Sequence, residues 1–200
     1  MAPRFIFLRH GEAEHNVAFH EVGQTAFTDP KYKDAKLTEK GLEQAREVAT
    51  KLTEYKILDI WSSPLKRCIQ TTYEVFEEVS ASNIYLHDNL IERLGGGHVC
   101  NDRKSKTEIQ KDNGFLKTEF LPEFSPLWVE RESTTSVHLR MRAFVLLLAD
   151  LYDKYSEDWH VLIVSSSDAI ASLTGKALKN AEFLVLTLKE VLNPPKEEVN

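Results

Sequence analysis

The chain has 200 residues, of which 42% are hydrophobic, and its 25 basic and 31 acidic side chains give a formal net charge of -6. This length is enough for one well-buried core, so we expect a single domain over residues 1–200. The acidic balance argues against a nucleic-acid partner, because such a partner requires a broad basic surface. Cys68 and Cys100 lack any disulfide or metal-ligand spacing, so we expect free thiols and no metal.

The first residues, MAPRFIFLRHGE, contain only a short apolar run before charged residues intervene. That run is too short for the core of a signal peptide or for a membrane span. We therefore expect a soluble, cytoplasmic protein that has no membrane partner.

Five short runs rich in apolar and aromatic residues predict β-strands. They lie at residues 4–8, 57–62, 83–86, 160–164 and 183–188. Helical patterns separate most of them. Because the strands are continuously apolar and alternate with helices, the sequence predicts an α/β fold, a three-layer α/β/α sandwich with a mostly parallel sheet.

Three helices are predicted with some detail. Thr38 is the expected N-cap of the first, and Pro64 is expected to open the second. The third is expected over about residues 133–155, with one apolar stripe. The members of that stripe are Val137, Met141, Phe144, Leu148 and Leu151.

Two long segments lack this regular pattern. Residues 14–36 read as a polar loop with possible short helices, and residues 93–127 form an excursion with three consecutive glycines and two prolines. Loops of that length often act as lids or binding walls. Ligands of such sheets bind beyond the carboxyl ends of the strands, so the candidate site is sought there.

Charged and polar residues follow three of the predicted strands. The first strand ends in LRHGE, the second runs into SSPLKRCIQT, and the third is followed by LIER. Taken alone, an arginine and a histidine at a strand end, or an arginine in the first turn of a helix, are ordinary surface features.

In combination, LRHGE, SSPLKRCIQT and LIER resemble the histidine phosphatase superfamily, in the branch that includes the cofactor-dependent phosphoglycerate mutases. The resemblance continues through DAKLTEKGLEQA, WVERESTTSVHLRMRAF and LTGKALKNAEF, so it covers nearly the whole chain. It implies a phosphoglycerate mutase-like fold and phosphomonoester chemistry that requires no cofactor and no metal.

The resemblance also implies roles for individual residues. His10 would attack the phosphoryl group and carry it as a phosphohistidine. Arg9 and Arg67 would bind the oxygens of that group, and Glu92 would protonate the leaving alkoxide and then activate water. Contacts to the substrate through neutral hydrogen bonds or a close backbone approach are expected at Asn16, Ser62 and Gly11.

The strand at residues 160–164 runs into three serines, where the family has a second histidine in a V-S-H-G pattern. Aligned on Val164, Ser165 and Asp168, Ser166 occupies the histidine position and Ser167 the glycine position. A serine is shorter and neutral, so we expect slower turnover, by on the order of a hundred- to a thousandfold. A serine nucleophile would need a base, and Asp168 is more simply an N-cap or first-turn carboxylate.

The other histidines carry no motif. Three of them lie in loops that could line the mouth of the site, but we expect each to be a solvated loop residue: His15, His20 and His98. Three more are expected to be structural or surface residues: His87, His138 and His160.

Substrate selection would fall to the excursion after Glu92. Mutase-like sequences have a tyrosine and a glycine soon after the acid, whereas this chain has Leu94 and three glycines, which favours phosphatase over mutase activity. Arg93, Arg103 and Lys104 are candidates for binding a second phosphate or a carboxylate. The expected ligand is a small phosphorylated metabolite or inorganic phosphate.

Three explanations of the serine remain open: a naturally weakened phosphatase, a relative that only binds a phosphorylated ligand or protein, or a serine introduced to cripple turnover. Retention of the acid favours phosphatase chemistry. Exposure of the aromatic residues in the excursion would favour a protein partner, although such residues more often form a small core of their own. These residues are Phe115, Phe120, Phe124 and Trp128. The oligomeric state is left open.

Overall fold

The computed structural model describes residues 3–124 and 131–194. Its strands are β1 (Arg4–Arg9), β2 (Lys56–Ser62), β3 (Ile84–Leu86), β4 (Trp159–Ser165) and β5 (Phe183–Leu186). They form one sheet in the order β3-β2-β4-β1-β5. The first four strands pair in parallel, and β5 pairs antiparallel with β1 at the edge. The mostly parallel sheet predicted from the sequence is confirmed.

The helices that surround the sheet vary widely in length. They are α1 (Glu14–Val22), α2 (Thr25–Thr28), α3 (Glu39–Leu52), α4 (Lys66–Phe76), α5 (Lys106–Asp112), α6 (Thr134–Leu151), α7 (Ser167–Thr174) and α8 (Leu188–Leu192). Short 3-10 turns occur at Pro30–Tyr32, Asp88–Leu90 and Val99–Asn101. No helix in these two described ranges is both long and apolar enough to cross a membrane.

Strand β1 shows why the fold has three layers. Phe5 and Phe7 belong to a buried cluster with residues of α6 and α7, whereas Ile6 and Leu8 belong to a second cluster with residues of α3 and α4. Successive side chains of a strand point to opposite faces, so a strand that is apolar at every position needs a cover on both sides. The carboxyl ends of the strands remain uncovered and are free to build a site.

Local capping decides several element boundaries. Thr38 caps α3 as predicted, its hydroxyl accepting a hydrogen bond from the amide of Gly41 at 3.0 Å. The last strand stops at Leu186, two residues earlier than predicted. Thr187 and Glu190 form a capping box that begins α8, and these side-chain hydrogen bonds override the β-propensity of the apolar run.

The second and third predicted helices are also shorter than expected. Helix α4 starts at Lys66 with Leu65 as its N-cap, so Pro64 lies outside the helix. Helix α6 ends at Leu151, which is exposed and does not extend the buried stripe. The polar segment at residues 14–36 contains α1 and α2.

The excursion after β3 carries exposed aromatic rings. Phe115, Phe120 and Phe124 are all exposed, so the expectation that they form a small core is wrong, and Trp128 lies outside the described residues. Phe120 still lies 5.3 Å from the buried Trp61 ring, measured between centroids. The segment therefore packs against the body of the protein while it leaves apolar surface open.

Candidate active site

A cleft of about 570 Å³ lies where the carboxyl ends of β1 and β4 meet the start of α4. Helices α1 and α2 and the segment after β3 close its other sides. The residues predicted from sequence that line it are Arg9, His10, Asn16, Arg67, Glu92 and Arg93. The fold thus brings together side chains that are more than eighty residues apart in the chain, as the strand-end argument requires.

His10 is buried at the end of β1 in a defined tautomer. Its Nδ1 lies 2.7 Å from the carbonyl oxygen of Gly11, and its Nε2 lies 3.1 Å from Nε of Arg67. Arginine can only donate, so Nε2 must accept, and Nδ1 then carries the proton that it donates to Gly11. Burial, reinforced by the charges of Arg67 and Arg9, holds the pKa of His10 well below its usual value. Its Nε2 therefore keeps the lone pair that a nucleophile needs.

Arg67 is buried in the first turn of α4, where the sequence predicted it. Its two terminal nitrogens donate to the carbonyl oxygen of Cys100 and to Oδ1 of Asn101, each at 2.8 Å. Within residues 3–124 and 131–194, no carboxylate oxygen lies within 4.0 Å of its guanidinium. A buried cation whose partners are all neutral favours the binding of an anion.

Arg9 supplies a second cation to the cleft. One terminal nitrogen donates to the carbonyl oxygen of Leu178 at 2.7 Å, while its Nε is buried without a hydrogen-bond partner in the described part of the chain. Burial lowers the pKa of Arg9, an effect that the nearby Glu92 carboxyl opposes. An anion in the cleft would provide the acceptor that Arg9 lacks.

Asn16 and Asn180 border the histidine. Oδ1 of Asn16 accepts a hydrogen bond from the amide of Ala13 at 3.0 Å, so its amide group is oriented. Asn180 donates to the carbonyl oxygen of His10 at 3.2 Å and lines the cleft. Sequence reasoning missed Asn180, because an asparagine in a loop before the edge strand carries no signal of its own.

Glu92 lines the cleft near Arg9. Its two carboxyl oxygens accept hydrogen bonds from the amides of Arg93, at 2.7 Å, and Asp168, at 3.1 Å. Burial raises the pKa of Glu92, and the negative charge of Asp168 raises it further. The carboxyl group is therefore more readily protonated than an exposed glutamate, which is what a general acid requires.

Ser166 is the N-cap residue of α7, and its side chain is buried without making a capping hydrogen bond. The hydroxyl lies 3.5 Å from a terminal nitrogen of Arg67 and 4.0 Å from Sγ of Cys68. Burial raises the pKa of the Cys68 thiol to about 11, so that group is not a base at neutral pH. Asp168 lies in the first turn of α7 and pairs with Arg93 at 3.2 Å. Nothing in these contacts activates Ser166 as a nucleophile.

The neighbouring serines serve different purposes. Ser165 donates to the carbonyl oxygen of Leu90 at 2.7 Å and is buried, whereas Ser167 lines the cleft. Ser62 is also fully buried and donates to the carbonyl oxygen of Ser63 at 2.9 Å. We therefore correct the assignment of Ser62 to substrate binding, because its hydroxyl is used inside the protein.

Gly11 is not among the residues that line the cleft, and a backbone contact accounts for the glycine. A Cβ atom at this position would collide with the backbone carbonyl of Gly41 in α3, and a Cβ at Gly41 would collide with the carbonyl of Glu12. The amide of Gly11 donates to Oγ1 of Thr71 at 3.1 Å. The glycine is required because two backbone segments touch here.

Two further candidates lie outside the cleft. The buried Arg103 makes a bidentate ion pair with Asp88 at 2.7 and 2.9 Å, and Lys104 pairs with Asp112 at 2.7 Å near the surface. We therefore withdraw both from the set of substrate-binding residues. A charge cannot remain buried at low cost unless it is paired, and Asp88 already supplies that pair to Arg103.

His15 was expected to be solvated, but it is buried and lines the cleft. Its ring centroid lies 6.3 Å from that of His10, and its Nε2 accepts a hydrogen bond from Nδ2 of Asn16 at 3.2 Å. Burial, together with the charges of Arg67 and Arg9, lowers its pKa to about 2. The helical spacing of His15 and Phe19, four residues apart, was the available signal. His20 and His98 also line the cleft.

Within residues 3–124 and 131–194, no group of three or more histidine, cysteine or acidic side chains is arranged to hold a metal ion. A neutral histidine lies beside two arginines that have no carboxylate partner in the described residues, and such an arrangement suits phosphoryl transfer. This chain belongs to the histidine phosphatase superfamily (branch 1), whose family model matches residues 5–186.

Several known proteins that resemble the chain are named phosphatases. A probable phosphatase from Schizosaccharomyces pombe is 32% identical over 88 residues, which is 44% of this chain and only 28% of that protein's length. A mycobacterial glucosyl-3-phosphoglycerate phosphatase, solved with VO3, is 23% identical with a TM-score of 0.65, and the match covers 93% of this chain and 91% of that one. A putative alpha-ribazole-5'-P phosphatase from Escherichia coli is 20% identical, with a TM-score of 0.62 and coverages of 92% and 90%. The two solved structures share the fold with this chain.

Proposed function

We propose that this chain is a single-domain phosphatase that hydrolyses a small phosphomonoester through a phosphohistidine on His10. One observation carries the proposal. Nε2 of His10 is unprotonated and accepts a hydrogen bond from Arg67, whose buried charge has no carboxylate partner in the described residues. A nucleophile and the cation that would bind the oxygens of its target are thereby held at hydrogen-bond distance.

In the first step, Nε2 of His10 attacks phosphorus, and the bond between phosphorus and the ester oxygen breaks. Arg67 and Arg9 stabilise the charge on the three phosphoryl oxygens. The leaving alkoxide takes the proton of Glu92, whose raised pKa keeps that proton available. The products of this step are the free alcohol and an N-phosphorylated His10.

In the second step, Glu92 is a carboxylate and accepts a proton from a water molecule. The oxygen of that water attacks phosphorus, the bond between phosphorus and Nε2 breaks, and inorganic phosphate leaves. His10 recovers its lone pair and Glu92 its proton, so the site returns to its starting state. Asn16 and Asn180 support this cycle by fixing the backbone and the cleft wall around His10.

We further propose that Ser166 attenuates this reaction. A histidine at this position would place a cationic donor beside the phosphoryl group, whereas the Ser166 hydroxyl is neutral and faces Arg67 at 3.5 Å. Loss of one such donor costs on the order of a hundred- to a thousandfold in rate. We favour a phosphatase over a mutase because Leu94 and the glycines after it replace the tyrosine of the mutase-like pattern.

The test is hydrolysis of p-nitrophenyl phosphate by the unaltered chain, by Ser166→His and by His10→Ala. We expect Ser166→His to exceed the unaltered chain by about a hundredfold or more, and His10→Ala to show no rate above buffer. Retained activity in His10→Ala would exclude the phosphohistidine route. A rate in Ser166→His equal to that of the His10→Ala blank would exclude an intact but weakened phosphatase.

Ser166 also favours a second candidate function, a relative that binds a phosphorylated ligand without turnover. That alternative predicts that inorganic phosphate raises the melting temperature of the unaltered chain and of Ser166→His, while neither hydrolyses any phosphomonoester. Hydrolysis by either version, abolished in His10→Ala, would exclude it.

A further inference from the structure

One wall of the cleft consists of aromatic rings. Phe19 of α1 and Phe27 of α2 stack on each other with centroids 5.1 Å apart and an interplanar angle of 6°. The His98 ring lies 5.3 Å from Phe27, and the His15 ring meets Phe27 edge-on at 6.0 Å. All four residues line the cleft, and together we call them the aromatic wall.

The two phenylalanines of the aromatic wall are not part of the hydrophobic core. Neither Phe19 nor Phe27 belongs to the two buried clusters that cover the faces of the sheet. Phe19 is 40% exposed, although its stacking on Phe27 already covers part of the ring. Contiguous exposed apolar surface inside a cleft is typical of a surface that a ligand covers.

The position of His15 joins this wall to the phosphoryl site. Its ring lies 6.3 Å from that of His10 on one side and 6.0 Å from that of Phe27 on the other. The space beside His15 and the two phenylalanines is thus continuous with the place where His10 and Arg67 would hold a phosphate. The wall therefore borders the part of the cleft that the alcohol of a phosphomonoester bound at His10 can occupy.

Charged side chains also border the wall, and besides burial the positive charge of Arg131, which lines the cleft, helps to lower the pKa of the neighbouring His98. Arg93 is engaged by the carboxylate of Asp168 at 3.2 Å. Burial lowers the pKa of His98, so its imidazole is neutral at physiological pH and adds ring surface rather than charge. The volume of about 570 Å³ is that of a site for a ring-bearing small molecule.

We infer that the substrate is a phosphomonoester whose alcohol carries a flat aromatic or heteroaromatic ring, which packs against Phe19, Phe27 and His98. This inference rests on the proposed function, because it assumes that the phosphate binds beside His10. Ring-on-ring contacts contribute affinity beyond the area that they bury, so flatness as well as size is selected.

The test uses three phosphonates that share one anionic head group and cannot be hydrolysed. Benzylphosphonate carries a flat ring, cyclohexylmethylphosphonate a ring of similar size that is not flat, and propylphosphonate no ring. Isothermal titration calorimetry with the unaltered chain should give benzylphosphonate an affinity at least about tenfold above propylphosphonate and about fivefold above cyclohexylmethylphosphonate. Inorganic phosphate serves as the probe of the anion site alone.

Variants of the aromatic wall test whether it causes the preference for benzylphosphonate. Phe19→Leu and Phe27→Leu keep an apolar side chain and remove the ring, and each should reduce the advantage of benzylphosphonate to about twofold or less. Phe115→Leu is the matched control, since Phe115 is exposed but lies outside the cleft, and it should leave the preference unchanged. Phe19 is exposed enough that its replacement leaves the core intact, so Phe19→Leu decides the test if Phe27→Leu fails to fold.

Equal affinities for the three phosphonates would overturn the inference and leave the proposed function standing, provided that phosphate binds. A benzylphosphonate preference that survives in Phe19→Leu would also overturn it. Failure of phosphate and of all three phosphonates to bind would overturn the inference and the proposed phosphate site together.

Discussion

The cleft and the excursion that borders it each bury an arginine, but the two arginines have opposite surroundings. Arg67 contacts His10, a carbonyl oxygen and an amide, and has no carboxylate partner in the described residues. Arg103 is held in a bidentate pair by Asp88 and by carbonyl oxygens of its own segment. The charge of Arg67 remains available to an external anion, whereas the charge of Arg103 is already used to fix the excursion.

A third buried arginine confirms the distinction. Arg140 of α6 makes a bidentate pair with Glu132 at 2.7 and 2.9 Å and also donates to the carbonyl oxygen of Asn89. Like Arg103, it ties one segment to another. Burial alone therefore does not mark an arginine as functional, but burial without a carboxylate does, because an unpaired buried charge is tolerated chiefly where a ligand completes the site.

The largest expected effect falls on folding in the excursion. Arg103→Met should lower the free energy of unfolding by about 3–5 kcal/mol, because it leaves the Asp88 carboxylate buried without its partner. Urea unfolding measures this change. Lys104→Met is the matched control, since its exposed pair with Asp112 should contribute at most about 1 kcal/mol. Equal, small losses in the two variants would show that the buried pair does not fix the excursion.

The next effect falls on turnover in the cleft. In a Ser166→His background, Arg67→Met should lower kcat/KM for p-nitrophenyl phosphate by about a hundred- to a thousandfold, since a cation that binds the phosphoryl oxygens is lost. Its urea midpoint should fall less than that of Arg103→Met, because the groups that lose a donor are neutral and no buried carboxylate loses a partner. A large loss of stability with little loss of rate would contradict the contrast with Arg103.

The role of Glu92 can be distinguished from the role of the arginines by comparing substrates with different leaving groups. In single-turnover measurements, Glu92→Gln should slow release of an alkyl alcohol by about a hundredfold, but that of p-nitrophenol only slightly, because the nitrophenolate leaves without a proton. For the unaltered glutamate, the rate with an alkyl phosphate should be highest below the raised pKa of Glu92 and fall as pH increases through it. A variant that slows both leaving groups equally would place Glu92 in binding rather than proton transfer.

The smallest effect concerns the buried histidine beside the cations. The pKa of His15 is about 2 in the folded chain, below its ordinary value of 6.5. Below about pH 6.5, His15 therefore binds a proton in the unfolded chain but not in the folded chain. The free energy of unfolding falls by about 1.4 kcal/mol for each pH unit of acidification. Urea unfolding at about pH 7 and about pH 5.5 should show a steeper loss for the unaltered chain than for His15→Phe. Parallel losses would show that His15 is protonated in the folded state.

The sequence predicted the parts of this molecule that follow from periodicity and strand ends. Apolar runs gave the parallel sheet, and the placement of Arg9, His10 and Arg67 followed because carboxyl ends of parallel strands meet at one edge. The local competition at Thr187 was missed, since a capping box and a strand end share the same residue types.

The errors in the site have one physical cause: the sequence does not show what each polar side chain contacts. Arg103 was a candidate because of its charge in the excursion and Ser62 because of the family resemblance, yet Asp88 and the carbonyl oxygen of Ser63 already satisfy them. His15 was set aside because it lay in a segment with no clear period, and the same helix α1 carries Phe19 of the aromatic wall. Pairing is a tertiary property, and so is the availability of a charge.

The contact between Gly11 and Gly41 limits how this site can change by mutation. A side chain at either position would strike backbone rather than a movable side chain, so no substitution at a neighbour can make room. A substitution at one of these glycines cannot be compensated by a later substitution at the other. Most packing contacts can change through such successive substitutions, but this one cannot. In a saturation library selected for activity, only glycine should be recovered at positions 11 and 41. Helix α3 and the segment that carries His10 are therefore constrained together.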